Sequence, residues 1–91
     1  MESQRAVVQV VNKQGLHARP MSLIVKTASS FQAEVSVTGP QGERADGTSV
    51  FQLMGLLAPQ GSDLVIEAEG RDAAAALAAL VELIEGGFGE P

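Results

Sequence analysis

Two hydrophobic periods alternate along the chain, and together they predict its elements. Ala6-Val7-Val8-Gln9-Val10-Val11 is a β-branched run that stops at Asn12, which predicts a strand buried on at least one face. After a loop at Lys13-Gln14-Gly15-Leu16 the period changes. Met21, Ile24, Val25 and Ala28 fall at i, i+3, i+4 and i+7, one stripe of an α-helix. Pro20 belongs in the first turn of that helix, where a missing N–H costs nothing, so the helix starts at about His17 or Ala18. Ala33 to Thr38 alternates as a half-buried strand, with Ala33, Val35 and Val37 inward. The turn Gly39-Pro40-Gln41-Gly42 leads into a short polar return strand at Glu43 to Asp46. Thr48 or Ser49 can cap a short helix carrying Val50, Phe51, Leu53, Met54, Leu56 and Leu57. Leu64 to Ala68 is a further strand. Asp72 is a suitable N-cap for a last helix with Leu77, Leu80, Val81 and Ile84 on one stripe, stopped by Gly86-Gly87.

The order is β-α-β-β-α-β-α, an α+β class. Each helix has one apolar stripe and the strands alternate, so the expected architecture is a four-stranded antiparallel sheet with three helices on one face. No repeat, linker or low-complexity tract divides the 91 residues, which read as one domain over 1–91 with loosely held tails at 1–5 and 87–91.

Composition narrows the function. Apolar residues make up 45% of the chain, enough for one aliphatic core at this size. Six Lys plus Arg against eleven Asp plus Glu give a net charge of −5, the wrong sign for a nucleic-acid partner. One histidine and no cysteine leave no basis for a transition-metal site or a disulfide. The polar start Met1-Glu2-Ser3-Gln4-Arg5 has no apolar signal region, and no apolar run approaches a membrane span, so a cytoplasmic protein without membrane insertion is expected.

The single histidine lies in Gly15-Leu16-His17-Ala18-Arg19-Pro20. At a helix start the ring of His17 stands over backbone N–H groups that have no partner inside the helix, including that of Ala18. Neutral imidazole is a nucleophile toward phosphorus, and the positive helix end disfavours imidazolium. Arg19 supplies a planar cation suited to phosphate, Gly15 permits close backbone approach, and Pro20 stiffens the first turn. An ordinary cap or loop histidine is the alternative that these residues alone leave open.

This motif resembles the active-site motif of HPr, the phosphocarrier family of the bacterial phosphoenolpyruvate-dependent phosphotransferase system. Thr48-Ser49-Val50-Phe51-Gln52-Leu53-Met54-Gly55-Leu56 resembles the family's regulatory-serine helix. Gln60-Gly61 with Ile66 to Ala73 resembles its last strand and helix cap. The resemblance runs from about Ala6 to Phe88. It implies an open-faced β-sandwich, a phosphoryl group carried on Nδ1 of His17 and stabilised by Arg19, and no cofactor. It implies a stoichiometric carrier and not an enzyme. The phosphoryl group would come from phosphoenolpyruvate through enzyme I and pass to IIA domains of sugar permeases.

The resemblance further implies phosphorylation of Ser49 by a serine kinase, removable by a phosphorylase. It also implies a docking surface made of Lys26, Val50, Phe51, Leu53 and Met54. Ser29 and Gln52 stand where relatives are often basic, so electrostatic steering to partners is expected to be weaker. A nitrogen-branch relative acting on regulatory proteins would share the His17 chemistry. A binding module acting through Ser49 alone is the alternative of a different class, and the presence of His17 and Arg19 argues against it. A monomer is expected.

Overall fold

The computed structural model describes residues 3–90. Strands β1 (Ser3–Gln9), β2 (Glu34–Thr38), β3 (Arg44–Asp46) and β4 (Asp63–Glu69) form one sheet with spatial order β1-β4-β2-β3, every neighbouring pair antiparallel. Helices α1 (Ala18–Ser29), α2 (Val50–Met54) and α3 (Ala73–Glu85) cover one face, followed by a 3₁₀ turn at Gly87–Gly89. The four antiparallel strands with helices on one face are what the element order predicted, and they make the open-faced β-sandwich that the resemblance implied.

The alternation of the strands decides which face is covered. Ala6, Ile66, Val37 and Ala45 are register partners across all four strands and point toward the helices. Ile66, Val37 and Ala45 are fully buried there. One residue along, Arg5, Glu67, Ser36 and Asp46 form a polar row on the bare face. A one-residue slip would exchange these rows, so burial of the apolar row fixes the register.

Helix α1 buries Pro20, Met21, Ile24 and Ala28, so three of the four stripe residues face the core and the fourth, Val25, is half-buried at its edge. Helix α3 buries Ala73, Ala76, Leu80 and Ile84, while Leu77 and Val81 are only half-buried. Its inner face is therefore centred on the alanines, whose small side chains let the helix lie close to β1 and β4. Asp72 occupies the N-cap position of α3 without capping it. Its carboxylate instead accepts from the backbone N–H groups of Gln32 and Ala33, at 2.9 and 2.7 Å, and ties α3 to the entry of β2.

The expected loose tails are corrected at both ends. Ser3, Gln4 and Arg5 are paired with Glu69, Ala68 and Glu67 in β1. Phe88 is 2% exposed and belongs to the core. Burial of that one aromatic ring outweighs the flexibility suggested by Gly86, Gly87 and Gly89. Residues 1, 2 and 91 lie outside the described residues.

Candidate functional site

Strand β1 ends at Gln9, and the chain must turn sharply to enter α1. Asn12, buried, fixes this turn: its Nδ2 donates to the Gly15 carbonyl at 2.8 Å. Leu16 N–H then donates to the Ala58 carbonyl at 2.9 Å, which pins the loop to the segment after α2. Gly15 has φ +66, and a Cβ there would come within 2.5 Å of the Ala58 oxygen and 2.9 Å of Pro59 Cα. Only glycine fits this approach.

His17 is the N-cap residue of α1, in extended conformation, and its carbonyl accepts from Met21 N–H at 3.1 Å. The ring does not cap the helix. The N–H groups of Ala18 and Arg19 belong to the first turn, where no intrahelical acceptor is available, and Pro20 removes a third donor that would otherwise need one. The site predicted from the motif is thus assembled at one helix end, with His17 half-buried and Arg19 exposed.

Two further participants, Glu90 and Asn12, come from the structure alone. The Glu90 carboxylate reaches into the site from the far end of the chain. Its Oε2 lies 2.8 Å from His17 Nε2 and 3.0 Å from an Arg19 terminal nitrogen. Its Oε1 accepts from Asn12 Nδ2 at 3.0 Å. An ionised carboxylate has no hydrogen to give, so Nε2 of His17 must be the protonated nitrogen in this contact. Burial pushes the Glu90 carboxyl up, but hydrogen bonds from Asn12, His17 and Arg19 and the pull of the His17 ring outweigh it. The net effect holds the group below the usual carboxylate range. The carboxylate occupies an anion position between imidazole and guanidinium, the kind of position a phosphoryl oxygen could share.

Lys13, Gln14, His17, Arg19, Gly89 and Glu90 line a cleft of about 490 Å³. A larger hollow, about 790 Å³, lies on the other side beside Phe31, Glu34, Asp46 and Glu67. It holds no histidine, whereas the smaller cleft brings the imidazole of His17 together with the guanidinium of Arg19.

The remaining predicted residues divide. Ser49 caps α2: its Oγ accepts from Gln52 N–H at 3.2 Å. Phe51 is 85% exposed, Leu57 70%, Met54 56% and Val50 38%. So many large apolar side chains on one short stretch make a patch of the type used for partner contact. Lys26 is exposed in the last turn of α1, about 10 Å along the axis from Arg19. Leu53 corrects the expected docking surface. It is 1% exposed and packs in the core, because a five-residue helix has only one inward position at its centre and Leu53 takes it. Sequence reading missed Asn12 and Glu90. A polar residue closing a β-branched run was the one local hint for Asn12, whereas Glu90 is 73 residues from His17 and left no local hint.

No helix among the described residues is long and apolar enough to cross a membrane. No group of three or more His, Cys, Asp or Glu able to hold a metal occurs among them.

Residues 4–86 match the family described as PTS HPr component phosphorylation site. The chain is 43% identical over 83 residues to phosphocarrier protein HPr of Neisseria meningitidis serogroup A, covering 91% of this chain and 92% of that protein. It is 35% identical over 86 residues to phosphocarrier protein NPr of Escherichia coli K12, covering 94% and 96%. The crystal structure of HPr-C-His from Thermoanaerobacter tengcongensis superposes with a TM-score of 0.90 at 39% identity, over 97% of this chain and 98% of that one. Profile, identity and fold agree over nearly the whole length: the chain belongs to the HPr family of phosphocarrier proteins.

Proposed function

We propose that this carrier accepts a phosphoryl group on Nδ1 of His17 from enzyme I and passes it to IIA domains of sugar permeases. The observation that carries the reading is the pairing of His17 with Arg19 around a bound anion, the Glu90 carboxylate, at the start of α1. With the proton on Nε2, the free lone pair is on Nδ1, the nitrogen able to attack phosphorus. In the transfer the donor's P–N bond breaks and a bond from Nδ1 to phosphorus forms. Charge on the transferring oxygens is met by the free donors of Arg19 and the first-turn N–H groups. The reaction is then repeated in reverse toward the next acceptor, so the protein acts as a stoichiometric carrier with a covalent intermediate. A monomer in the cytoplasm fits this role.

The sugar branch is favoured by the higher identity to an HPr than to an NPr, 43% against 35%. The NPr likeness supports a second reading, in which the same His17 serves nitrogen-branch partners. The patch of Phe51, Met54, Leu57 and Val50 would dock the partner, with Lys26 and Arg19 as its cationic neighbours. Ser49, at the head of that patch, would take a regulatory phosphoryl group from a serine kinase. About two added negative charges there would repel an acidic partner.

Incubation with phosphoenolpyruvate and enzyme I, followed by intact mass, tests the proposal. One acid-labile phosphoryl group is expected, absent in His17→Ala and slow to form in Arg19→Ala. A phosphoryl group that persists in His17→Ala would refute the assignment. Offering the labelled carrier a sugar-branch and a nitrogen-branch IIA domain in competition separates the two readings.

A further inference from the structure

We propose that Glu90 is a positioning residue for His17: its carboxylate holds the proton on Nε2, keeps Nδ1 as the bare nitrogen and balances the charge that the ring gains on phosphorylation. The inference rests on the carrier reading and deepens it. Three contacts support it, all converging on one carboxylate: His17 Nε2 at 2.8 Å and Arg19 at 3.0 Å on Oε2, and Asn12 Nδ2 at 3.0 Å on Oε1. The carboxylate side chain is 14% exposed, less than the 34% of the ring it touches. It is therefore held in a shielded place and is not a loose surface partner.

The backbone is shaped to deliver it. Gly87, Phe88 and Gly89 all have positive φ, at 68, 59 and 72 degrees. For Phe88, which carries a Cβ, that conformation is disfavoured, and burial of the ring in the core offsets it. The turn anchors at Phe88 and ends with Glu90 aimed at His17.

The chemistry gives this carboxylate a purpose in both directions. When Nδ1 attacks phosphorus, the ring still bearing its Nε2 proton becomes cationic. A carboxylate on that proton stabilises the charge as it develops. When the phosphoryl group leaves, the retained proton makes the departing group a neutral imidazole instead of an imidazolate. No proton is exchanged with water in either step. Carboxylates that hold a working histidine through its second nitrogen do the same elsewhere. Arg19 binds Glu90 through one terminal nitrogen, which leaves its other donors for the phosphoryl oxygens.

The test compares the full chain with its Glu90→Gln and Glu90→Ala variants. Lys13 and Arg19, the other charged groups of the cleft, stay unchanged. Long-range ¹⁵N–¹H spectra of unphosphorylated protein report the ring nitrogens, and ³¹P spectra across pH report the Nε2 proton of the phosphorylated ring. In Glu90→Gln the phosphorylated ring should give up that proton about tenfold more readily, from loss of one neighbouring opposite charge. Phosphoryl uptake should slow by roughly tenfold. Glu90→Ala should lose the downfield Nε2–H signal expected of a carboxylate-bound proton. Unchanged far-UV dichroism in both variants would exclude a merely structural effect. Ring spectra, proton release and uptake all within twofold of the parent would overturn the proposal. If the parent takes up no phosphoryl group, the carrier reading fails, and the ¹⁵N comparison of the unphosphorylated ring still decides whether Glu90 holds it.

Discussion

Replacing Gly15 by alanine should separate two costs that the loop before His17 imposes. The backbone there is left-handed, at φ +66, which costs a residue with a Cβ about 1–2 kcal/mol. The added Cβ would also sit 2.5 Å from the Ala58 oxygen and 2.9 Å from Pro59 Cα, both main-chain atoms that cannot rotate aside. The two segments must separate, and the 2.9 Å bond from Leu16 N–H to Ala58 goes with them, at about 1–2 kcal/mol. The sum is about 3 kcal/mol. At roughly 4–8 °C per kcal/mol for a domain of this size, Tm should fall by roughly 12–24 °C. Gly42→Ala is the control, because Gly42 has φ +91 with nothing within 4 Å of the added carbon. It should show only the backbone cost, about 1–2 kcal/mol. Thermal unfolding followed by far-UV dichroism gives both numbers. The reasoning is refuted if Gly15→Ala costs no more than Gly42→Ala.

Helix α2 and the carboxylate of Asp72 offer two further tests. Leu53→Ala should cost about 2–4 kcal/mol in chemical denaturation, whereas Phe51→Ala, at 85% exposure, should stay within about 0.5 kcal/mol; only Phe51→Ala should slow phosphoryl exchange with a partner at unchanged stability. The Gln32 N–H holds the Asp72 carboxyl below its ordinary value of 3.8 against the opposing effect of burial, with the Ala33 N–H, its own backbone and Arg71 adding to the lowering. A depressed carboxyl stabilises the fold above its unfolded value and loses that contribution as pH falls through the folded one. The Tm advantage of the parent over Asp72→Asn should therefore be constant above about pH 5 and shrink below 3.8; an advantage that grows on acidification would contradict the assigned ties to Gln32 and Ala33.

What was legible in the sequence is what repeats locally. The stripe Met21, Ile24, Ala28 and the alternation Val35, Val37 gave α1 and β2 because periods of 3.6 and 2 are visible within a dozen residues. His17 and Arg19 were legible because helix entry and motif coincide. The short helix α2 was harder. Val50, Phe51, Leu53 and Met54 are all apolar, so no period says that Leu53 alone turns inward. Asp72 shows a different limit: a residue type that favours the cap was used for a tertiary tie to Gln32 and Ala33, and the cap position hides that choice. At the C-terminal turn the glycines suggested looseness. They instead provide the left-handed backbone on either side of Phe88, which bends Glu90 onto His17. Contacts spanning most of the chain leave no mark on local composition.

The strand order has a consequence for how the molecule is made. β2 and β3 are a hairpin that can close across five residues, but β1 hydrogen-bonds only to β4, whose first residue lies 54 positions after β1 ends. During synthesis the earliest strand must wait, unzipped, until most of the polypeptide has left the ribosome. Joining ends so far apart carries a loop-closure cost before any reward, which slows folding relative to a helical bundle of similar size. A nascent chain of this protein thus exposes a bare valine-rich ribbon for that interval, which is where a holdase chaperone or a wayward second ribbon would find it.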